Sequence, residues 1–397
     1  MEQIRKIKIV ITHSSKLSER WRNYYCLDDL KKKFDVEYWD CSSFTYPNFS
    51  STKVIRDNYS FILQDIKEFE SRLKLLPSDT LMITDIHFNK WNYQVHKIQS
   101  KYFKDIIQIV FFSNNILKES DLNLSEKKNK SLLLRVENVY LSIMNKVMPY
   151  MKTPIGRLYL KKTKKLYNIH IISCANRSYY RINHPDYDSY LKLKNIRPSC
   201  DSKYILFLDN YFPYHSEIKR FQKNFEPEKI ATDYYLSMNT FFQKLENYYG
   251  CDVIIAAHPT AQYTINPFEG RKIIYGKTAE LVKCSFAVCL HNSNSISFAI
   301  MYDKPLTILH NKAYRESKLL WPRLPVMANL LGIKLVDTDL INRVKDIFSY
   351  IDKTVKDKYV DIYLHNVDDK CDTPNSILFE KYFIDIYMKC YNNGAGL

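Results

Sequence analysis

The sequence predicts an α/β protein made of two domains of the same kind, and three observations lead there. The chain has 397 residues, and single hydrophobic cores rarely grow past about 250–300 residues, so two domains are expected. Short apolar runs alternate with helical patterns in both halves, as in mostly parallel sheets covered by helices. A polar break, Arg197-Pro198-Ser199-Cys200-Asp201, separates the two series. The expected division is 1–197, 198–374 and a C-terminal helix in 375–397, with the domains facing a cleft near residues 198–203.

In the first half the apolar runs are Ile7–Thr12, Val36–Trp39, Thr80–Thr84 and Ile106–Phe112, and Tyr59–Leu76 shows helical periodicity. Residues 128–166 carry Leu, Met and Lys at helical spacing and read as a long amphipathic helix, whose basic face suits a membrane surface. The second half has runs at Tyr204–Leu208, Val253–Ala257, Lys272–Ile274, Phe286–Leu290 and Leu306–Ile308, with a helix expected over Asp233–Tyr249. "SILFEKYFIDIYMKCY", residues 376–391, is apolar on more than one face, as expected of a helix buried between partners that crosses back to the first domain.

Bulk composition narrows the function classes. A hydrophobic fraction of 46% and a charged fraction of 26% are globular values, and no stretch reaches the roughly 18 uninterrupted apolar residues of a membrane span. The charge-broken start, Met1 to Ile11, reads as a first strand rather than a signal peptide, so a cytoplasmic location is expected, with peripheral association at the inner membrane face compatible with it. Nine cysteines without any Cys-x-x-Cys pair, Cys284 and Cys289 being the closest, support neither a zinc site nor a disulfide framework. The net charge of +16 favours anionic partners such as a nucleotide-linked substrate. Because the basic residues are scattered and no nucleic-acid motif accompanies them, nucleic acid is not an expected partner. There is no G-x-G-x-x-G and no P-loop, which removes the commonest dinucleotide and kinase readings.

The most informative stretch is "AAHPTAQY", residues 256–263. The apolar run before it ends at a strand terminus, where α/β proteins place their chemistry, so His258 is the leading candidate and Pro259 would fix the strand exit. A satisfied surface or core histidine is the plainer alternative. Downstream, "KTAELVKCSFAVCLHNSNSISFAIMYDKPLTIL", residues 277–309, reads as a short helix N-capped by Thr278, a buried strand, a polar turn His291-Asn292-Ser293-Asn294-Ser295, and a helix Ile296–Met301. A strand-to-helix turn of this kind suits phosphate, with hydroxyls from Ser293, Ser295 and Ser297, unless the serines only cap the helix.

This order resembles the donor-binding half of GT-B glycosyltransferases, and the His-Pro followed by a serine-rich turn resembles bacterial sialyltransferase, polysialyltransferase and capsule Kdo-transferase families. The resemblance covers roughly residues 200–310 and reaches the first half only through its architecture. It implies two Rossmann-like domains facing a cleft, and transfer of an acidic sugar, sialic-acid-like or Kdo-like, from CMP to a glycan or glycolipid acceptor. It further implies contacts to the cytidine monophosphate from His258 and the serine turn; phosphate is then expected near Ser293, Asn294 and Ser295, beside Pro259, and base or ribose near Lys272, Tyr275, Gly276, Lys277, Thr278 and Glu280. The family's Asp/Glu-Asp/Glu-Gly motif has no clear copy here, so the base is sought among carboxylates at strand ends: Asp85 in "LMITDIHFNKW" and Asp209 in "YILFLDNYFPYH". His13, in "IVITHSSK", is a further candidate beside the cleft, with capping by its serines as the simpler account. Asp186-Tyr187-Asp188 reads as a loop and Asp368-Asp369 as a turn, so no metal or other cofactor is expected. A transferase using a nucleotide-diphosphate sugar, and a non-catalytic basic protein binding nucleic acid or a membrane surface, are the alternatives.

Overall fold

The computed structural model describes residues 6–45, 57–86, 92–111, 169–173, 180–196, 202–215, 225–366 and 371–392, together with residues 55, 218, 222, 368 and 369. These fall into two compact units: one holds the described residues up to Ile182 and those from Thr373 onward, and the other runs from Asn183 to Asp372. The division thus lies earlier in the chain than Arg197-Pro198. The proposed long helix over residues 128–166 lies outside the described residues.

The first unit is a seven-stranded sheet in which every pairing is parallel. Its strands are β1 (Lys8–His13), β2 (Asp35–Asp40), β3 (Ser60–Ile62), β4 (Leu81–Thr84), β5 (Ile106–Val110), β6 (Ile169–Ser173) and β7 (Tyr180–Ile182), in the spatial order β3-β2-β1-β4-β5-β6-β7. β4 is buried along its whole length, as a parallel strand covered on both faces must be. The expected helix over Tyr59–Leu76 is two elements. Ser60–Ile62 pairs with Tyr38–Asp40 as an edge strand, and the helix Ile66–Leu75 begins only where the Asp65 carboxylate accepts the N–H groups of Lys67 and Glu68, each at 2.8 Å. A three-residue edge strand is too short for its alternation to stand out from a helical pattern.

The C-terminal helix Asn375–Tyr387 belongs to this first unit. Phe379 and Phe383 are buried and stack on each other, and Phe383 meets Phe34 edge-on. Tyrosine hydroxyls fasten the same segment: Tyr382 donates to the Arg181 carbonyl at 2.7 Å and Tyr387 to Asp79 at 2.8 Å, while Asp385 accepts from Tyr180 at 2.7 Å.

The second unit repeats the plan with six parallel strands: β8 (Tyr204–Leu208), β9 (Asp252–Ala256), β10 (Ile273–Ile274), β11 (Ala287–Leu290), β12 (Leu306–His310) and β13 (Leu335–Asp337). Their order, β10-β9-β8-β11-β12-β13, is the dinucleotide-fold order 3-2-1-4-5-6. The helix Pro227–Tyr249 starts with proline in its first turn and ends at Gly250, whose φ of +61° is the left-handed conformation that glycine adopts without strain. Asp186-Tyr187-Asp188 is not a loop but the first turn of the helix Pro185–Leu193; Pro185 fits a first helical position, and His184 accepts the Asp186 N–H. Cys284 is disulfide-bonded. Chain spacing did not foretell this, because the fold and not the sequence interval decides which thiols meet. No helix among the described residues is long and apolar enough to cross a membrane, and none of their His, Cys, Asp and Glu side chains cluster to hold a metal ion.

Phe379 sits fully buried in the core of the first unit, so Phe379→Ala is expected to cost about 3–5 kcal/mol. Urea unfolding followed by fluorescence would show it as a lowered midpoint, and an unchanged midpoint would contradict the packing described.

Candidate functional site

Parallel strands end at one edge, and register decides which residues meet there. In the second unit Leu208 pairs with Ala256 on one side and Leu290 on the other. The chain therefore leaves three adjacent strands at Asp209, Ala257-His258 and His291. β8 and β11 flank the point where strand order reverses, the position at which open α/β sheets bind ligands.

Asp209 is buried, and all its contacts here are to backbone and side-chain donors of the loops around it. Oδ1 accepts the Tyr211 N–H at 2.8 Å, and Oδ2 accepts the Tyr263 hydroxyl at 2.7 Å and the His258 N–H at 3.4 Å. Burial raises its pKa to about 6, against the lowering by those three hydrogen bonds. His258 is half-buried and begins a tight turn in which Ala261 N–H reaches the His258 carbonyl at 2.9 Å, with Pro259, exposed, in the position that favours proline. The Thr260 N–H donates to His258 Nδ1 at 3.3 Å and the Thr260 hydroxyl lies 2.8 Å from the same atom. A nitrogen that accepts carries no proton, so in the neutral ring the proton sits on Nε2. The His215 ring lies edge-on, 5.2 Å from that of His258.

His291, also at a strand end, is a different kind of histidine. Its Nδ1 donates to the Leu309 carbonyl at 2.6 Å and its Nε2 accepts from the Tyr234 hydroxyl at 2.9 Å, while its ring stacks on Tyr314. Complete burial lowers its pKa to about 4, so it stays neutral and serves the core. The turn after it is more committed than its sequence suggests. The N–H groups of Ile296, Ser297 and Phe298 are taken by the carbonyls of Ser293, Asn294 and Ser295, and the helix Ile296–Met301 has only six residues. Ser297 is buried and donates to Asp186, so it is not available to the turn. Ser293 accepts the Ser295 N–H at 3.3 Å, and its own proton remains for another acceptor. Ser295 precedes the helix without a side-chain capping bond, and Asn294 is exposed.

Tyr275, Gly276 and Lys277 form the exposed exit from β10; Gly276 has a φ of +72°, which a side chain there would strain. Lys277, not Thr278, occupies the N-cap position of the helix Thr278–Cys284, and Thr278 is its first residue. Glu280 is exposed on that helix, and Lys272 stands before β10, apart from the strand exits.

The first unit presents its own strand-end pair at the equivalent place, since β1 and β4 flank its order reversal. Thr12 pairs with Thr84, and the next residues past that register, His13 and Asp85, lie together: Nε2 is 2.9 Å from Asp85 Oδ2. The contact is an ion-pair distance rather than a well-aligned hydrogen bond. The Ser15 N–H and hydroxyl are both 2.9 Å from His13 Nδ1, so the backbone donor fixes the ring proton on Nε2, toward the carboxylate. The ring is enclosed by Trp21 and Tyr38, with centroids 4.2 Å and 5.6 Å away. A second tie holds the two strands: Gln99 donates to the Thr12 hydroxyl at 2.9 Å, which donates to the Ile83 carbonyl at 3.1 Å. Ser15 does cap His13, in line with the simpler account, and the ring contacts Asp85 as well.

No family model matches the chain, and no curated protein matches it in sequence. Among solved structures the chain is similar to CalG4, the calicheamicin glycosyltransferase, with a TM-score of 0.52 and 9% identity over 99% of this chain and 100% of that one. It is also similar to a variant of the wall teichoic acid polymerase TagF, with a TM-score of 0.51 and 11% identity over 98% and 90% of the two chains. The fold is of the GT-B type. Within this GT-B fold, sequence reasoning missed Tyr263 and Thr260, although both lie in the quoted "AAHPTAQY"; a turn-forming His-Pro-Thr-Ala is a readable signal, whereas the reach of Tyr263 to Asp209 is not.

The Asp209 values carry a consequence for stability. An unfolded aspartate titrates near 3.8, and the buried one near about 6, so between those values the folded state holds a proton that the unfolded state has lost. Stability should fall as pH rises from about 4 to about 6 by an amount on the order of 2–3 kcal/mol and stay level above. Asp209→Asn should lack that fall when urea midpoints are compared across the range; parallel profiles for the two proteins would contradict it.

Proposed function

We propose that the chain is a glycosyltransferase that takes its sugar from a nucleotide-linked donor bound at the strand ends of the second unit. The observation that carries this reading is the paired design: each Rossmann-like unit places titratable side chains at its order reversal, His13 with Asp85 in one and Asp209 with His258 in the other. CalG4 and TagF, the proteins of like fold, are by name a glycosyltransferase and a teichoic acid polymerase. The favoured donor is a CMP-linked acidic sugar, sialic-acid-like or Kdo-like, and the acceptor a bacterial surface glycan or glycolipid precursor. His258-Pro259 and the turn Ser293-Asn294-Ser295 are the features that support CMP.

The chemistry follows from which atoms are committed. Asp85, held through Oδ2 by His13, takes the proton of the acceptor hydroxyl, whose oxygen forms the new bond to the anomeric carbon. The glycosyl–phosphate bond breaks, its electrons pass to the phosphate, and His258 donates from Nε2 to the oxygen on which that charge develops. Nucleoside monophosphate leaves when the donor is CMP-linked. Ser293 and Ser295 bind the phosphate, Pro259 shapes the His258 turn, and Tyr275, Gly276, Lys277 and Thr278 border the nucleoside. Lys272 and Glu280, set apart from the strand exits, take outer positions. Asp209, whose oxygens are occupied by its own loops, does not act as the base.

Incubation with a panel of CMP- and UDP-sugars, with released nucleotide measured, tests the reading: release from CMP-sugars is expected, release from UDP-sugars alone would favour a nucleotide-diphosphate donor, and no release from either would count against the transferase. On the active donor His258→Ala should lower kcat by about 10²- to 10⁴-fold in a protein that stays folded. A destabilised but fully active variant would make His258 structural. Replacing Ser293 and Ser295 together by alanine should weaken nucleotide binding by about 1–3 kcal/mol by calorimetry, and unchanged affinity would mean they serve only the turn.

A further inference from the structure

One carboxylate holds the loop that carries His258 at two points. Asp209 Oδ2 receives the N–H of His258, near the start of the loop that joins β9 to β10, at 3.4 Å, and the hydroxyl of Tyr263, further along the same loop, at 2.7 Å. Its other oxygen is fixed to its own strand exit through Tyr211 N–H, so it has no rotational freedom without breaking all three bonds. Tyr263 is braced in turn, edge-on against Tyr211 at 5.4 Å and Phe268 at 5.6 Å. Inside the loop, Thr260 engages His258 Nδ1 from two atoms. Backbone position and ring proton of His258 are therefore set from different ends of one connected network.

We propose that Tyr263 and Asp209 are positioning residues for His258: the Tyr263 hydroxyl on the Asp209 carboxylate fastens the loop to the end of β8 and so aims the His258 Nε2–H at the donor phosphate. This rests on the reading that His258 acts on the donor. With Thr260 fixing the ring within the turn, a loop tied to β8 through the His258 N–H alone could shift that turn as a unit, and a hydrogen bond that must form in the transition state is sensitive to such displacement. Removing one phenolic oxygen should therefore affect turnover through His258 and not on its own account.

A double-mutant cycle reads this directly on the full chain, with the donor that gives nucleotide release. Tyr263→Phe should lower kcat by about tenfold or more with little change in KM, and the same substitution made on His258→Ala should change kcat by less than about twofold. Equal effects on both backgrounds would overturn the proposal, since Tyr263 would then act independently of His258, as would a wild-type kcat in Tyr263→Phe. If His258→Ala itself turns over like wild type, it is the donor reading that fails, which sets the two failures apart. Should Tyr263→Phe not fold, Asp209→Asn runs the same cycle; loss of fold in both would make the fastener a folding element and overturn the proposal as well.

Discussion

Parallel pairing constrains this protein more than any single contact. When every strand runs the same way, each must return across the sheet before the next begins, and all strands finish at a common edge. Register then sets which residues follow those ends. Leu208 level with Ala256 and Leu290, and Thr12 level with Thr84, bring together residues from distant parts of the chain: Asp209 with His258, and His13 with Asp85. A slip of one residue would move every side chain of β8 or β4 to the opposite face of the sheet, into packing shaped for its neighbour, and scatter these groups. The apolar cores protect the register, and the register assembles the polar edge.

At that edge the same side chain takes opposite roles according to its partners. His291 has a donor on one nitrogen and an acceptor on the other, no exposure, and a pKa lowered by burial to about 4; nothing is left for a ligand to gain. His258, half-buried, is held through one nitrogen within its own turn, and its ring proton is directed to the other. Carboxylates divide likewise. A buried charge must be hydrogen-bonded or it costs several kcal/mol, and Asp209 meets that demand with three donors from its surroundings. Asp85 has His13 at one oxygen and the Tyr25 hydroxyl as a further neighbour, which orient it.

Much of this was legible in the sequence where the physics is local. The apolar runs at Tyr204–Leu208 and Phe286–Leu290 had only one reading as buried strands, and the helix Ile296–Met301 follows from the polar turn before it. His258 stands out as a candidate because His-Pro ends an apolar run, and the structure places it just past the end of β9. Short or edge elements were not legible: Ser60–Ile62 is too brief for its alternation to compete with helical periodicity, and β13 passed unseen for the same reason. Pro185 looked like a breaker because proline permits both a loop and a first helical turn. Side-chain reach was also hidden. Nothing in the letters says that Ser297 turns inward to Asp186, or that the Tyr263 hydroxyl closes onto Asp209.

The central claim is that the edge formed by β8, β9 and β11 receives a nucleotide phosphate beside His258. A crystal structure of the protein with CMP tests it most directly. The account predicts a phosphate oxygen within about 3.2 Å of His258 Nε2, at the turn Ser293-Asn294-Ser295, with the Tyr263–Asp209 contact intact. CMP bound elsewhere, or absent from that edge at saturating concentration, would contradict it.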